Sequence, residues 1–203
     1  MAFLPSYNSR VLLGALNLSC QARDVSLSHE IDTHDVTTLC DTSRVYIPGK
    51  SQASFSASGP LDTLGAAGNP FAIFAAWTAA EWPITYAPRG LTTGYEALMV
   101  SGVNTSFAPK SGVGDPSDYS VAAIANGFDY GVMLEDLTAV TIDGNGTARD
   151  LTAATTNGGV AHLHVSAFSG LTNNIVTIEH SVDGSTSWST LVTFATYTGV
   201  TSE

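Results

Sequence analysis

The sequence predicts a mainly β protein: antiparallel strands, one packed α-helix over about residues 69–81, and a smaller all-β part over 136–203. Three observations predict this. Apolar and polar residues alternate with period two along much of the chain. A single stretch carries apolar residues at helical spacing. The composition turns Thr-rich after Leu134, which places a boundary between 1–135 and 136–203.

The strands are taken in order. Ser9 to Ser19 reads as a first strand. Val25, Leu27, His29 and Ile31 share one face, and Ser26, Ser28, Glu30 and Asp32 the other. Ala53, Phe55 and Ala57 alternate with Gln52, Ser54, Ser56 and Ser58. Tyr119–Ala125 and Phe128–Leu134 read as two more strands. Leu163, Val165 and Ala167 alternate with His162, His164 and Ser166, and Trp188, Val192 and Phe194 line one face of a late strand. Each is expected to be half-buried in an antiparallel sheet.

The helix has its own signals. Asn69 is a capping residue and Pro70 suits the first helical position. Phe71, Phe74 and Trp77 then form an apolar stripe, which Trp82-Pro83 ends. Residues 32–45 show no alternation and read as a long polar connection, a kind of loop that usually has a task. Residues 109–118 form a Gly/Pro/Asp-rich loop. Asp143-Gly144-Asn145-Gly146 and Asp183-Gly184 read as hairpin turns.

The chain has 203 residues, and only 12% are charged. Globular chains carry about 25%, so this composition suggests a surface partly covered by neighbours. Net charge is -11, and the seven basic residues are scattered. Stable nucleic-acid binding neutralises phosphates with Lys and Arg, so the chain is a poor DNA binder; a conduit through which DNA slides is compatible. No apolar run reaches the length of a membrane span. Arg10 followed by Val11-Leu12-Leu13-Gly14-Ala15-Leu16 faintly resembles a lipoprotein signal, but Asn17 interrupts it and a first strand is preferred. Cys20 and Cys40 are expected to be reduced thiols in a protein assembled in a cytoplasm.

No nucleophile elbow, phosphate loop, dinucleotide fingerprint or zinc spacing is present, and Gly112-Val113-Gly114 lacks a third glycine. Neither a catalytic residue, a metal ligand nor a cofactor is assigned. His162, His164 and His180 could ligate a metal together; the preferred reading puts the first two on a solvent or subunit face. Asp143, Asn145 and Asp150 lack the bidentate Glu that a calcium loop needs. His29 reads as a core or interface histidine, and Trp188 as a sandwich-core tryptophan rather than an exposed ligand platform.

Thr37-Thr38-Leu39-Cys40-Asp41-Thr42-Ser43-Arg44-Val45-Tyr46-Ile47-Pro48-Gly49-Lys50, running into Ser54-Phe55-Ser56-Ala57-Ser58-Gly59-Pro60-Leu61-Asp62, resembles the tail tube proteins of long-tailed, lambda-like (siphovirus-type) bacteriophages. The order of elements extends this resemblance over residues 9–135. Gly158-Gly159-Val160-Ala161-His162-Leu163-His164-Val165 and Ile178-Glu179-His180-Ser181-Val182-Asp183-Gly184 resemble β segments of tube proteins from actinobacterial phages. There a further strand normally follows, so the C-terminal part is expected to be short or to lack its last strand.

The resemblance implies a tail-tube-type β-sandwich/barrel whose copies form rings, usually of six, stacked into a hollow tube. It implies a virion location, and as partners the chain itself, a tape measure protein, a tail terminator and distal tail proteins. DNA would pass through an acidic lumen without stable binding, and no membrane is involved. The loop over residues 32–46 would reach the next ring, making Asp32, Asp35, Asp41, Arg44 and Tyr46 the candidate ring-to-ring residues. Two other readings compete. One is a carbohydrate-binding or adhesion module using Trp188. The other is a hydrolase with His29 or His34 beside a nucleophile.

Overall fold

A computed structural model describes residues 8–61, 81–140, 144–149, 159–169, 174–184 and 186–203. Among them no α-helix occurs, and twelve strands run in chain order. These are β1 Arg10–Leu13, β2 Leu16–Asn17, β3 Asp24–Asp35, β4 Tyr46–Pro60, β5 Trp82–Ala87 and β6 Glu96–Lys110. β7 Asp118–Ala125, β8 Asp129–Val132, β9 His164–Val165, β10 Thr177–Ser181, β11 Trp188–Thr193 and β12 Thr201–Ser202 follow. The helix expected over about 69–81 lies outside the described residues, apart from Glu81, which is exposed coil.

β1 to β8 form one antiparallel sheet in the order β2-β1-β5-β6-β7-β4-β3. β6 is long enough to hold two partners on one edge. β7 pairs along its residues 102–110, and β8 along 96–99. The amide of Asn126 bridges the step between them by donating to the Ser101 carbonyl.

The sheet curls around its own apolar face. A single buried cluster joins Val11 and Leu13 of β1 to Phe55 of β4, Ile84 of β5, Val100 of β6 and Val121 of β7. Val25 and Leu27 of β3 pack against it. Alternation predicts this face for β3 and β4, because burial of one face alone selects period two.

The expected first strand is a hairpin instead. Gly14 adopts φ 56, which the turn into β2 requires. A Cβ there would also stand 3.0 Å from the Trp82 ring.

The C-terminal residues make two small sheets, β10 with β11 and β9 with β12. The β9–β12 sheet touches the large sheet through two histidines on or beside β9. His164 Nδ1 bonds the Gly14 carbonyl at 2.7 Å, and its Nε2 lies 2.8 Å from Thr85 Oγ1. His162 Nδ1 lies 3.3 Å from the same hydroxyl. The expectation that these histidines decorate a solvent or subunit face is therefore corrected: they anchor residues 162–165 to β1 and β5. Trp188 is corrected in the other direction. It stands 44% exposed, because β10–β11 is a two-stranded ribbon without a second sheet over it among the described residues.

Candidate assembly interface

β3 and β4 pair over eleven positions, but only part of that ladder belongs to the core. β7 covers the other edge of β4 from Ala53 to Pro60 and stops there. Beyond that point β3 and β4 project as a two-stranded arm. Between His29 and Gln52 every residue is exposed except the half-buried Gly49. Ile31, Tyr46 and Ile47 are 53%, 50% and 48% exposed. A lone two-stranded hairpin is marginal in water, which makes this arm the candidate assembly surface.

The polar connection read over residues 32–45 is thus strand only over its first four residues. β3 runs to Asp35, β4 starts at Tyr46, and the loop proper is residues 36–45. Alternation is missing because neither face is buried. A β-bulge after Ile31 shifts the register. Pro48 is tolerated because β4 has no second neighbour here.

Short side chains hold the tip. The Asp35 carboxylate accepts from the Thr37 amide at 2.9 Å and from the Thr37 hydroxyl. The Asp41 carboxylate accepts from the Thr38 amide at 2.7 Å and the Thr38 hydroxyl at 2.9 Å. The Val45 amide donates to Thr37 Oγ1, and Arg44 Nη1 donates to Tyr46 Oη at 3.2 Å. The Thr37 hydroxyl holds the Asp35 carboxyl below its ordinary value, and the Thr38 amide does the same for Asp41. Both stay anionic at neutral pH.

Asp35, Asp41, Arg44 and Tyr46 therefore gather at the tip, while Asp32 lies along the arm with its Cβ against Gly49. Sequence reasoning missed Thr37 and Thr38, although Asp-x-Thr and Thr-x-x-Asp are local capping patterns that could have shown them. Trp188 is remote in sequence and sits on the C-terminal ribbon. His29 stacks on Phe128 with ring centroids 5.2 Å apart. His34 is exposed on the arm beside Gly49. Among the described residues no three His, Cys, Asp or Glu side chains converge to hold a metal.

Two further features complete the surface. The polar face of β3 and β4 is lined by short side chains, with Ser28 and Ser54 hydroxyls 2.8 Å apart. At the end opposite the tip, a cavity of about 210 Å³ opens between the ends of β3, β4, β6 and β7.

No family model matches the chain, and no curated protein matches it. Solved structures do. The fold is that of tube-forming proteins of phage tails and contractile injection systems. The chain is similar to the SPP1 tail tube, at 12% identity, covering 76% of this chain and 95% of that one, with a TM-score of 0.54. It is also similar to a chain of the sheath-tube complex of an extracellular contractile injection system in its extended state. There the identity is 15%, the coverage 64% and 92%, and the TM-score 0.51. The tube-terminating cap of an anti-feeding prophage gives 14%, 65% and 93%, and 0.51.

Proposed function

We propose that this chain is a structural subunit of a phage tail tube. Its copies form rings, six being the expected number, and the rings stack into a hollow tube that conducts viral DNA. The β3–β4 arm carries the proposal: it is solvent-exposed on both faces yet internally ordered at its tip. Likeness of fold to the SPP1 tail tube supports it. The sheet also ends at β3, a twelve-residue strand with an open edge. Pairing with a neighbour protects such an edge from aggregation.

In this reading Asp32, Asp35, Asp41, Arg44 and Tyr46 meet the next ring. The face with Ser26, Ser54 and Ser56, flanked by Asp24 and Glu30, is suited to a lumen: its side chains are short and its charges negative. DNA is repelled rather than bound there. The siphovirus type, the actinobacterial origin, assembly in a host cytoplasm, and contacts with tape measure, terminator and distal tail proteins extend the same proposal. Residues 136–203 form an outward addition to the tube domain of residues 1–135. Negative-stain microscopy of the purified protein tests the reading. Rings or tubes are expected; a monodisperse monomer at high concentration sinks it.

One observation favours a second reading for the C-terminal part alone. Exposed Trp188 on β11 is placed as a glycan-stacking side chain would be. Glycan binding that Trp188→Ala abolishes would establish an adhesion role.

A further inference from the structure

The large sheet is buried on both faces over part of its width. Val11, Leu13, Ile84 and Val100 of β1, β5 and β6 point into the core cluster. Leu12, Thr85, Ala87 and Ala97 face the other way, yet they are buried too and lie outside that cluster. Strand register sets Leu12, Thr85 and Met99 side by side on this second face. Across β3, β4 and β7 the same side of the sheet carries Ser26, Ser54, Ser56 and Ser120, all exposed. An antiparallel sheet can leave one face in water, so the second buried layer needs a cover.

Thr85 is where that cover is fastened. Its hydroxyl lies 2.8 Å from His164 Nε2 and 3.3 Å from His162 Nδ1, while His164 Nδ1 lies 2.7 Å from the Gly14 carbonyl. A carbonyl only accepts, so Nδ1 of His164 carries the proton and Nε2 of the neutral ring is an acceptor. Thr85 then donates its one proton to His164, and its oxygen accepts from His162 Nδ1. Every group in this chain of bonds is satisfied with both rings neutral.

A first added proton is absorbed by reversing the chain. His164 Nε2 donates to Thr85, and Thr85 donates to His162 Nδ1. A second proton is not absorbed. Both rings then donate to Thr85, whose own proton has no acceptor among the described residues. The two charged rings would also stand with centroids 6.0 Å apart. Burial already disfavours charge on each ring and holds His164 down to about 4.

The charged side chains around the pair do not offset this. On the second face, Arg10 lies two positions before Leu12 on β1, and Asp129 of β8 pairs with Met99 at the far end of the row. From the β12 side, Glu203 turns its carboxylate to the Ala195 amide. The charge that bears on His164 is that of His162.

We infer that His162 and His164 form a two-proton latch on the second face of β1 and β5. It holds residues 162–165 down while the pair carries at most one extra proton, and it lets go when both rings are charged. The latch does not depend on the tube reading. β9 and β12 pair over two positions only, so residues 162–165 and 201–203 lose their order together on release, and Thr85 is bared. Release is local, because Asp136 accepts from Thr93 and Arg149 donates to the Thr93 carbonyl, which keeps the linker in place.

Hydrogen exchange of the full-length protein, read by mass spectrometry from about pH 7.5 to about pH 4.5 and corrected for the intrinsic rate, tests the latch. Protection over residues 162–166 is expected to fall by about tenfold or more across that range, with a slope steeper than one proton. Protection over residues 53–59 stays constant. His162→Gln is expected to reduce the slope to one proton. Thr85→Val is expected to lower protection over residues 162–166 already at neutral pH, with an unchanged circular dichroism spectrum. Protection over residues 162–166 that does not change with pH, that falls only in step with residues 53–59, or that keeps its slope in His162→Gln overturns the latch.

Discussion

Two halves of the β3–β4 ladder have opposite surroundings. From Val25 to Leu27 and from Ala53 to Gly59 the strands are part of the core, with Phe55 only 1% exposed. From His29 to Gln52 the same strands stand in solvent on both faces. One continuous ladder thus serves two ends. Its inner half is held by burial of apolar side chains within the subunit, and its outer half, beyond the His29–Phe128 stack, is held by hydrogen bonds within the arm. The difference is what the proposed ring-to-ring contact would use: a ribbon that the subunit itself leaves uncovered.

The largest effect that could break this comparison comes from the inner half. Phe55→Ala is expected to cost about 3–5 kcal/mol, from lost transfer energy and the cavity left behind. Tyr46→Ala in the outer half is expected to change monomer stability by less than about 0.5 kcal/mol while weakening assembly. Urea unfolding of both variants, beside sedimentation of both, checks the pair. Equal losses of stability would mean that the arm belongs to the core.

The next effect concerns the C-terminal anchor. Burial pushes His164 down to about 4, and its neighbour His162 is lowered by burial too. In the unfolded chain histidine titrates near 6.5. Between the two values the unfolded state holds more protons, so stability rises with pH. The anchor is thus complete above about pH 6.5 and lost as pH falls towards 4, by about 2–3 kcal/mol. Limited proteolysis of the C-terminal part across that range should show the loss, and His164→Ala should flatten the pH profile while leaving residues 10–132 folded.

Gly59→Ala comes third. The added Cβ would lie 1.8 Å from the Gln21 carbonyl oxygen, and overpacking of this kind costs about 1–3 kcal/mol. Thermal unfolding measures it. The smallest effect is at the tip. Thr38→Ala removes a hydroxyl from Asp41 and is expected to speed amide exchange over residues 36–45 with a monomer change below about 0.5 kcal/mol. Acid should loosen the tip only below about pH 4, because the lowered carboxyl values of Asp35 and Asp41 stabilise it above that point and cease to as pH falls further.

The comparison also explains what was legible in the sequence. Leu27, Phe55 and Ala57 stood out because burial of one face imposes alternation. Residues 32–35, the end of β3, read as part of the loop because nothing imposes alternation on a ribbon exposed on both faces. The candidate residues Asp35, Asp41, Arg44 and Tyr46 were found by position and polarity, yet their organisation through Thr37 and Thr38 needed coordinates. His162 and His164 were misread because their partners, Gly14 and Thr85, lie 77 to 150 positions away in the chain. The cavity at the far end of β3 and β4 left no sequence signal, since Arg23, Gly59, Lys110 and Asp118 meet only when four strand ends come together.

Helical reconstruction of the assembled protein by electron cryomicroscopy tests the central claim most directly. The account predicts stacked rings in which residues 29–52, exposed in the single chain, are covered by the next copy. A protein that stays monomeric at high concentration, or a tube in which the arm remains in solvent, would contradict it.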